Sequence, residues 1–140
     1  MSAWIIFALF SAVFAALVAI FGKIGIANVD TTLATTVRAF IMTFFLVMAS
    51  LVLGKHHLIG TIDNKALLYI VLSGLAGAVS WLCYFLALKS GPAASVAALD
   101  RLSLVFVLFL AAAFLSEGLT WKSMIGVVFM VVGAILMTIK

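Results

Sequence analysis

Asp100 and Arg101 are adjacent charged residues inside a run from Ala93 to Leu115 that is otherwise apolar and long enough to cross a membrane. Only 9% of the residues in the chain are charged, so a charged pair in this run needs a physical reason. An ionised side chain near the bilayer centre costs at least about 2.5 to 3.5 kcal/mol on insertion scales, and such residues usually face the protein interior. The pair is therefore the first candidate for a functional site.

Arg38 lies inside another apolar run, at a depth similar to that of the charged pair. A contact between Arg38 and Asp100 is geometrically feasible, and two interpretations of Asp100 are open. Either it neutralises Arg38 or Arg101 and locks a helix bundle, or the cluster lines a polar cavity. In the cavity interpretation Asp100 carries a proton or a cation, and the arginines hold anionic groups.

The helical neighbours of Asp100 are mostly small and include Ser103, so this face has room for a cavity or a close helix. Adjacent residues on a helix point about 100° apart. Asp100 and Arg101 therefore cannot both face one partner squarely, and Arg101 is the better candidate to extend toward the membrane interface.

Ser80, Trp81, Tyr84 and Phe85 form an aromatic, hydrogen-bonding patch. Trp81 and Tyr84 are three residues apart and share a helix face, where they can line a substrate pocket or stack on a cation. They can equally belong to an interfacial aromatic belt. Lys23, just after the first apolar run, is either a snorkelling anchor or a cation at the mouth of a cavity.

The elements that position these residues follow from composition and span length. The chain is 68% hydrophobic, against roughly 45–50% in soluble domains, so we expect an all-α integral membrane protein. A span needs about 20 helical residues. On that basis residues 1–140 form one domain of five transmembrane helices, Ala3 to Phe21, Thr31 to Leu53, Ala66 to Leu88, Ala93 to Leu115, and Trp121 to Ile139.

Small residues recur at helix-packing intervals, among them Gly74, Gly77 and Ala78 in the third predicted span. Such stripes favour close approach of helix backbones in lipid. The turn and cap residues agree with the segmentation: Pro92 can open the fourth helix, and Thr120 can cap the fifth.

Several kinds of function are disfavoured by the residues present. Cys83 is the only cysteine, which leaves no Cys/His spacing for a metal, and we expect no metal or other cofactor. The basic residues are dispersed, so nucleic acid is not an expected partner. The chain has no Ser/His/Asp arrangement, no phosphate-binding glycine loop and no pair of intramembrane carboxylates, and we do not expect an enzyme.

Loop charge does not choose an orientation for the five spans. Orientation normally follows an excess of Lys and Arg on the cytoplasmic side. The side of the N-terminus carries Lys55, Lys65 and Lys122, and the other side carries Lys23, Lys89 and Lys140. This tie leads to the hypothesis that the chain inserts both ways and pairs as an antiparallel homodimer, since many transporters are built from inverted repeats around a midplane site.

The order and spacing of several segments match a known pattern over nearly the whole chain. In the second half these are Ser80 to Leu88, Asp100-Arg101-Leu102-Ser103, Phe114 to Thr120, Gly126 and Gly133; in the first half they are Gly22-Lys23-Ile24-Gly25, Asp30, and Ala34 to Arg38. They resemble the EamA repeat of the drug/metabolite transporter superfamily, in its short five-span bacterial and archaeal form. Most relatives contain two inverted repeats, so the resemblance implies that a single-repeat chain works as a homodimer.

The resemblance also implies a function and a location. It points to a secondary transporter that moves small metabolites or drugs across the cytoplasmic (inner) membrane by alternating access, without ATP. The related small multidrug-resistance proteins have an essential carboxylate in their first span, but Ala3 to Phe21 contains no acid. Asp100 is then the carboxylate available for proton coupling. The alternative is a non-transporting membrane subunit in which the charges only stabilise packing.

Overall fold

A computed structural model describes residues 3–115 and 118–139. Glu117 and Lys140, which entered the motif and charge arguments above, lie outside these ranges. The described residues form helices and no strands, which confirms the all-α prediction for that part of the chain. The helices are α1 (Ala3–Gly25), α2 (Thr31–Val52), a 3-10 helix (His56–Thr61), α3 (Asn64–Ser90), α4 (Ala93–Asp100), α5 (Ser103–Phe114) and α6 (Trp121–Leu136).

Four stretches of the described residues are long and apolar enough to cross a membrane. They are α1, α2, α3 and the stretch Ala93–Phe114, which combines α4 and α5. The last helix, α6, has 16 residues, and at 1.5 Å per residue it extends about 24 Å. This is short of the roughly 30 Å hydrocarbon core. The described residues therefore contain four candidate spans and one shorter apolar helix, and the fifth span stays a prediction.

Two helices continue beyond the predicted ends, and both extensions contain a lysine. Helix α1 ends at Gly25 and not at Phe21, so Lys23 lies in its last turn. Helix α3 ends at Ser90 and not at Leu88, so Lys89 lies in its last turn. A cation in the last turn interacts favourably with the negative end of the helix dipole and with the unpaired carbonyl groups there, which explains why the charges do not end these helices.

Side-chain caps explain where two helices begin. A side-chain oxygen of Asp30 accepts a hydrogen bond from the Leu33 amide at 2.9 Å at the start of α2. The hydroxyl of Thr120 accepts from the Ser123 amide at 3.1 Å at the start of α6, which confirms the predicted cap. Pro92 precedes α4 as its N-cap in an extended conformation and so lies one position outside the first turn.

The fourth predicted helix is interrupted, whereas the sequence pattern predicts a continuous one. Helix α4 ends at Asp100 and α5 begins at Ser103. Between them the amide of Leu102 donates to the carbonyl of Leu99 at 2.9 Å, and the amide of Leu104 donates to that of Arg101 at 3.1 Å. These bonds span three residues and not four, so the chain tightens locally toward 3-10 geometry, which often marks a hinge inside a helix.

The chain divides into two compact units. Unit 1 comprises Met1–Gly22 and Ser90–Lys140, and unit 2 comprises Lys23–Lys89. The buried apolar residues are Ala19, Val96 and Ala134 in unit 1, and Ile26, Phe85 and Leu88 in unit 2. Most other large apolar side chains are exposed, as expected for helices that contact lipid or further helices.

Candidate functional site

Arg38 stacks on an aromatic side chain within unit 2. Helix α2 carries Arg38 and α3 carries Trp81 and Phe85, which lie one turn apart. The central guanidinium carbon of Arg38 is 3.6 Å from the ring centroid of Trp81 and 5.5 Å from that of Phe85. A guanidinium at this distance over an indole face is attracted by the ring quadrupole. The predicted ability of Trp81 to stack on a cation is therefore used by the protein's own arginine.

The rings around Arg38 support one another. Tyr84 meets Trp81 nearly edge-on, with centroids 5.7 Å apart and planes at 77°, and Phe85 lies 5.9 Å from Trp81. Such tilted and edge-on pairs add to the stability that burial provides. Phe85 is buried and fixes the cluster in unit 2, while Trp81 and Tyr84 are partly buried and Ser80 is exposed. This placement favours the pocket interpretation for Trp81.

A groove with a volume of about 630 Å³ runs between α2 and α3. Its lining contains one charged residue, Arg38, and three threonines, and the rest is apolar or small. Gly74 lies on its wall, and a Cβ atom added there would meet no other atom within 4 Å. Gly74 therefore widens the groove in unit 2 and does not mark a close helix contact there. The lining residues are Thr35, Thr36, Arg38, Ala39, Phe40, Met42, Thr43, Leu46, Gly74, Ala78, Trp81 and Leu82.

Two lysines join the last turns of α1 and α3 in what we call the lysine clasp. The ammonium of Lys23 donates to the carbonyl oxygen of Leu88. The ammonium of Lys89 donates to the carbonyl oxygens of Ile26, Ala27 and Val29 at 2.7, 3.1 and 3.1 Å. Each lysine thus satisfies carbonyl groups at or just beyond the end of the other's helix, where helical partners are lacking.

The lysine clasp bears on the two interpretations of Lys23. Because its ammonium binds a protein carbonyl, the structure favours an anchoring role for Lys23 within unit 2. The part played by Lys89 was missed by sequence reasoning, which placed this residue in a connection. One signal in the sequence could have revealed this role: each of the two lysines follows an apolar run and so can lie at the C-terminus of a helix.

Asp100, Arg101 and Ser103 lie together in unit 1, at the interruption between α4 and α5. Asp100 is the last residue of α4, and both its side chain and that of Arg101 are exposed. Helix α4 is held at its other end, where the Ser95 hydroxyl donates to the Met137 carbonyl oxygen at 2.7 Å beyond the end of α6. The charged pair therefore occupies the interruption of a candidate span. The contact between Arg38 and Asp100 stays a prediction.

These features define a class of protein before any relative is considered. Four stretches of membrane-spanning length, with a groove that holds a charged side chain between two of them, are typical of a multi-pass membrane transporter. The chain belongs to the EamA-like transporter family, which matches residues 2–139.

Two relatives agree with this assignment. A Sinorhizobium protein named as an uncharacterized transporter in the cobO 3' region is 40% identical over 136 residues, which is 97% of this chain and 96% of the relative. An uncharacterized protein of Methanocaldococcus jannaschii is 30% identical over 95 residues, or 68% of this chain and 69% of that protein. No solved structure matches the chain. The resemblance found in the sequence is confirmed at the level of the family.

Proposed function

We propose that the protein is a secondary transporter that moves small metabolites or drugs across the cytoplasmic membrane by alternating access. The observation that carries this proposal is the groove between α2 and α3, which holds a charged side chain inside segments of membrane-spanning length. A charged residue in such a place usually marks a substrate or ion pathway. The family assignment and the Sinorhizobium relative's name support the same class of activity.

The transporting species in this proposal is an antiparallel homodimer of five-helix units, each a single EamA-like domain. The equal loop charges on the two sides support it, and so do the many apolar residues that one chain leaves exposed. Inverted repeats commonly enclose a midplane site between them. Reporter fusions to the C-terminus test this arrangement: signals from both sides of the membrane are expected, and a signal from one side only would refute dual insertion.

Asp100 and Arg38 have separate roles in the proposed cycle. Asp100 lies at the interruption between α4 and α5, which serves as a hinge, and it couples flux to the ion gradient. Arg38, with Trp81 and Tyr84 beside it, forms the binding surface in the groove. Arg101, Ser80 and Ser103 flank these two groups, and Lys23 holds the end of α1 in place.

Flux through the purified protein is the decisive experiment. The full chain is reconstituted into liposomes, and uptake of a panel of small solutes is measured against imposed pH and ion gradients. Solute flux in the absence of any partner is expected. If correctly folded protein gives no flux with the whole panel, the alternative of a non-transporting membrane subunit is favoured.

A further inference from the structure

The charge of the α2–α3 groove restricts what it can bind. Arg38 is the one charged residue in its lining, and no carboxylate belongs to that lining. A cationic ligand would be repelled by Arg38 at short range, and repulsion is strong where water is scarce. One face of Trp81, which would otherwise attract a cation, already carries the Arg38 guanidinium at 3.6 Å.

The Arg38 guanidinium is held in place by the ring of Trp81. Ring stacking uses the faces of the guanidinium, whereas its five N–H groups lie in its plane and form a fork suited to a carboxylate, sulfonate or phosphate. The carboxylates of unit 2 are remote. Asp30 lies eight residues earlier, about 12 Å along the helix, and caps α2. Asp63 precedes the start of α3, about 27 Å along that helix from Trp81.

Arg38 is the one charged donor in the groove lining, and two of the three threonine hydroxyls there donate to their own helix. The hydroxyl of Thr35 donates to the Thr31 carbonyl at 2.7 Å, and that of Thr36 donates to the Thr32 carbonyl at 2.8 Å. Beyond these threonines the walls are formed by residues such as Met42, Leu46 and Ala78. The volume of about 630 Å³ falls within the range of small-molecule sites.

We infer that this groove binds an organic anion with an apolar body, with the acidic group on Arg38 and the body along the α2–α3 wall. The inference rests on the proposed transport function and narrows its substrate class. The same chemistry is present in a free amphipathic acid and in an anionic lipid. The two sources differ in whether the ligand reaches the groove from water or from the bilayer.

Binding of matched six-carbon probes tests the inference without depending on flux. Hexanesulfonate (anionic), hexanamide (neutral) and hexylamine (cationic at pH 7) are titrated into the full-length protein in nanodiscs of zwitterionic lipid. Emission of Trp81 is followed in the double variant Trp4→Phe/Trp121→Phe, which leaves one tryptophan. We expect hexanesulfonate to bind at least tenfold more tightly than hexylamine. Equal or tighter binding of hexylamine would overturn the inference.

Nanodiscs that contain phosphatidylglycerol identify the source of the anion. If the natural occupant is an anionic lipid, this lipid competes and weakens hexanesulfonate binding severalfold. If the occupant is a free solute, the affinity for hexanesulfonate is unchanged. Both results support an anion site. Failure of both hexanesulfonate and phosphatidylglycerol to alter Trp81 emission would refute it.

Variants locate the site. Arg38→Gln removes the charge at similar length, and the loss of charged hydrogen bonds predicts roughly 10- to 100-fold weaker hexanesulfonate binding. Lys65→Gln removes an exposed cation from the first turn of α3 and should leave binding unchanged. Equal affinity in Arg38→Gln and the parent would contradict the inference. If Arg38→Gln does not fold, Arg38→Lys replaces it, because it retains the charge but loses the planar fork and should bind several times more weakly.

A second pair of variants tests the groove without removing any charge. Gly74→Val places a branched side chain in the groove wall and should abolish hexanesulfonate binding by filling the space. Gly77→Val makes the same change on α3 at a residue outside the lining, and should retain binding. Full affinity in Gly74→Val would show that the groove is not the site.

Binding and transport can fail separately. Hexanesulfonate binding that depends on Arg38, together with an absence of flux for all solutes, would refute the transport function and preserve the anion site. Flux of cationic solutes that is unaffected by Arg38→Gln would preserve the transporter and refute the anion site.

Discussion

The two units of the molecule place charged side chains in contrasting surroundings. In unit 2 three cations contact groups of that unit: Lys23 and Lys89 bind backbone carbonyls, and Arg38 stacks on Trp81. In unit 1 Asp100 and Arg101 are exposed at a helix interruption. A charge that is held by its neighbours suits recognition, whereas an exposed charge at a helix interruption is the candidate for coupling. We therefore expect binding to depend on unit 2 and coupling to depend on unit 1.

The largest expected effect comes from Asp100→Asn. The substitution removes the titratable group at the hinge with little change in shape, so flux driven by an imposed pH gradient should fall to the level of empty liposomes. The protein should remain folded and monodisperse in detergent. Asp30→Asn is the matched control, because asparagine caps a helix as well as aspartate does. Full activity in Asp100→Asn would exclude this residue from the mechanism. It would also refute the assignment of coupling to unit 1.

Trp81→Leu tests whether unit 2 holds Arg38 ready for a ligand. Loss of the ring face removes a cation–π contact of about 0.5 to 2 kcal/mol, which corresponds to roughly 2- to 30-fold weaker hexanesulfonate binding. Trp81→Phe, which keeps a ring, should lie between this variant and the parent. Calorimetric titration in nanodiscs measures these affinities, and Trp121→Leu at the exposed start of α6 should match the parent. Unchanged affinity in Trp81→Leu would show that stacking does not prepare the arginine.

Lys89→Met tests the lysine clasp as a stabilising feature of unit 2. Methionine keeps the apolar stem but removes the ammonium, so the carbonyls of Ile26, Ala27 and Val29 lose their donor. We expect a loss of about 1 to 2 kcal/mol in stability, at the lower end for charged hydrogen bonds because the ammonium is partly solvated. Reversible unfolding in mixed micelles measures the change, with Lys65→Met as the control. Additive effects of Lys89→Met and Lys23→Met would show that the two lysines act independently.

The smallest expected effects come from the helix caps, which the two units share. Asp30→Ala in unit 2 and Thr120→Ala in unit 1 each remove a side-chain acceptor from a helix N-terminus and should lower stability by about 1 kcal/mol. The midpoint of thermal unfolding in detergent reports both. Thr120→Ser retains the acceptor and should restore the midpoint. If the two variants lose similar stability, the helix caps do not distinguish the two units, and the contrast between the units lies in their charged side chains alone.

Helix starts could be predicted from the sequence more reliably than helix ends. The predicted starts at Thr31, Ala93 and Trp121 agree with the structure, because caps and turn residues act locally, whereas α3 begins at Asn64 and not at the predicted Ala66. The ends of α1 and α3 were placed too early because apolar counting treats Lys23 and Lys89 as breaks. The long aliphatic part of each lysine side chain is compatible with a helix, and each ammonium group binds carbonyls that are distant in sequence. The helices therefore continue past these residues.

The residues of the candidate site were recognisable as energetic exceptions, but their contacts were not. Arg38 and Asp100 stand out because charges are rare in apolar runs. That Arg38 contacts Trp81, 43 positions later in the chain, depends on how α2 and α3 pack. Gly74 gives a similar lesson: its spacing favoured close helix packing, whereas in unit 2 it borders an open groove.

Composition and hydropathy alone determined that this chain is a helical membrane protein, and the order of its motifs determined its family. Both properties follow from short-range physics: apolar side chains partition into lipid, and in lipid the backbone must satisfy its own hydrogen bonds. Tertiary structure decided which face of Trp81 is occupied, which carbonyls the lysines reach, and that the span bearing Asp100 is interrupted. These outcomes depend on contacts between residues far apart in sequence and on local backbone geometry, neither of which hydrophobic periodicity specifies.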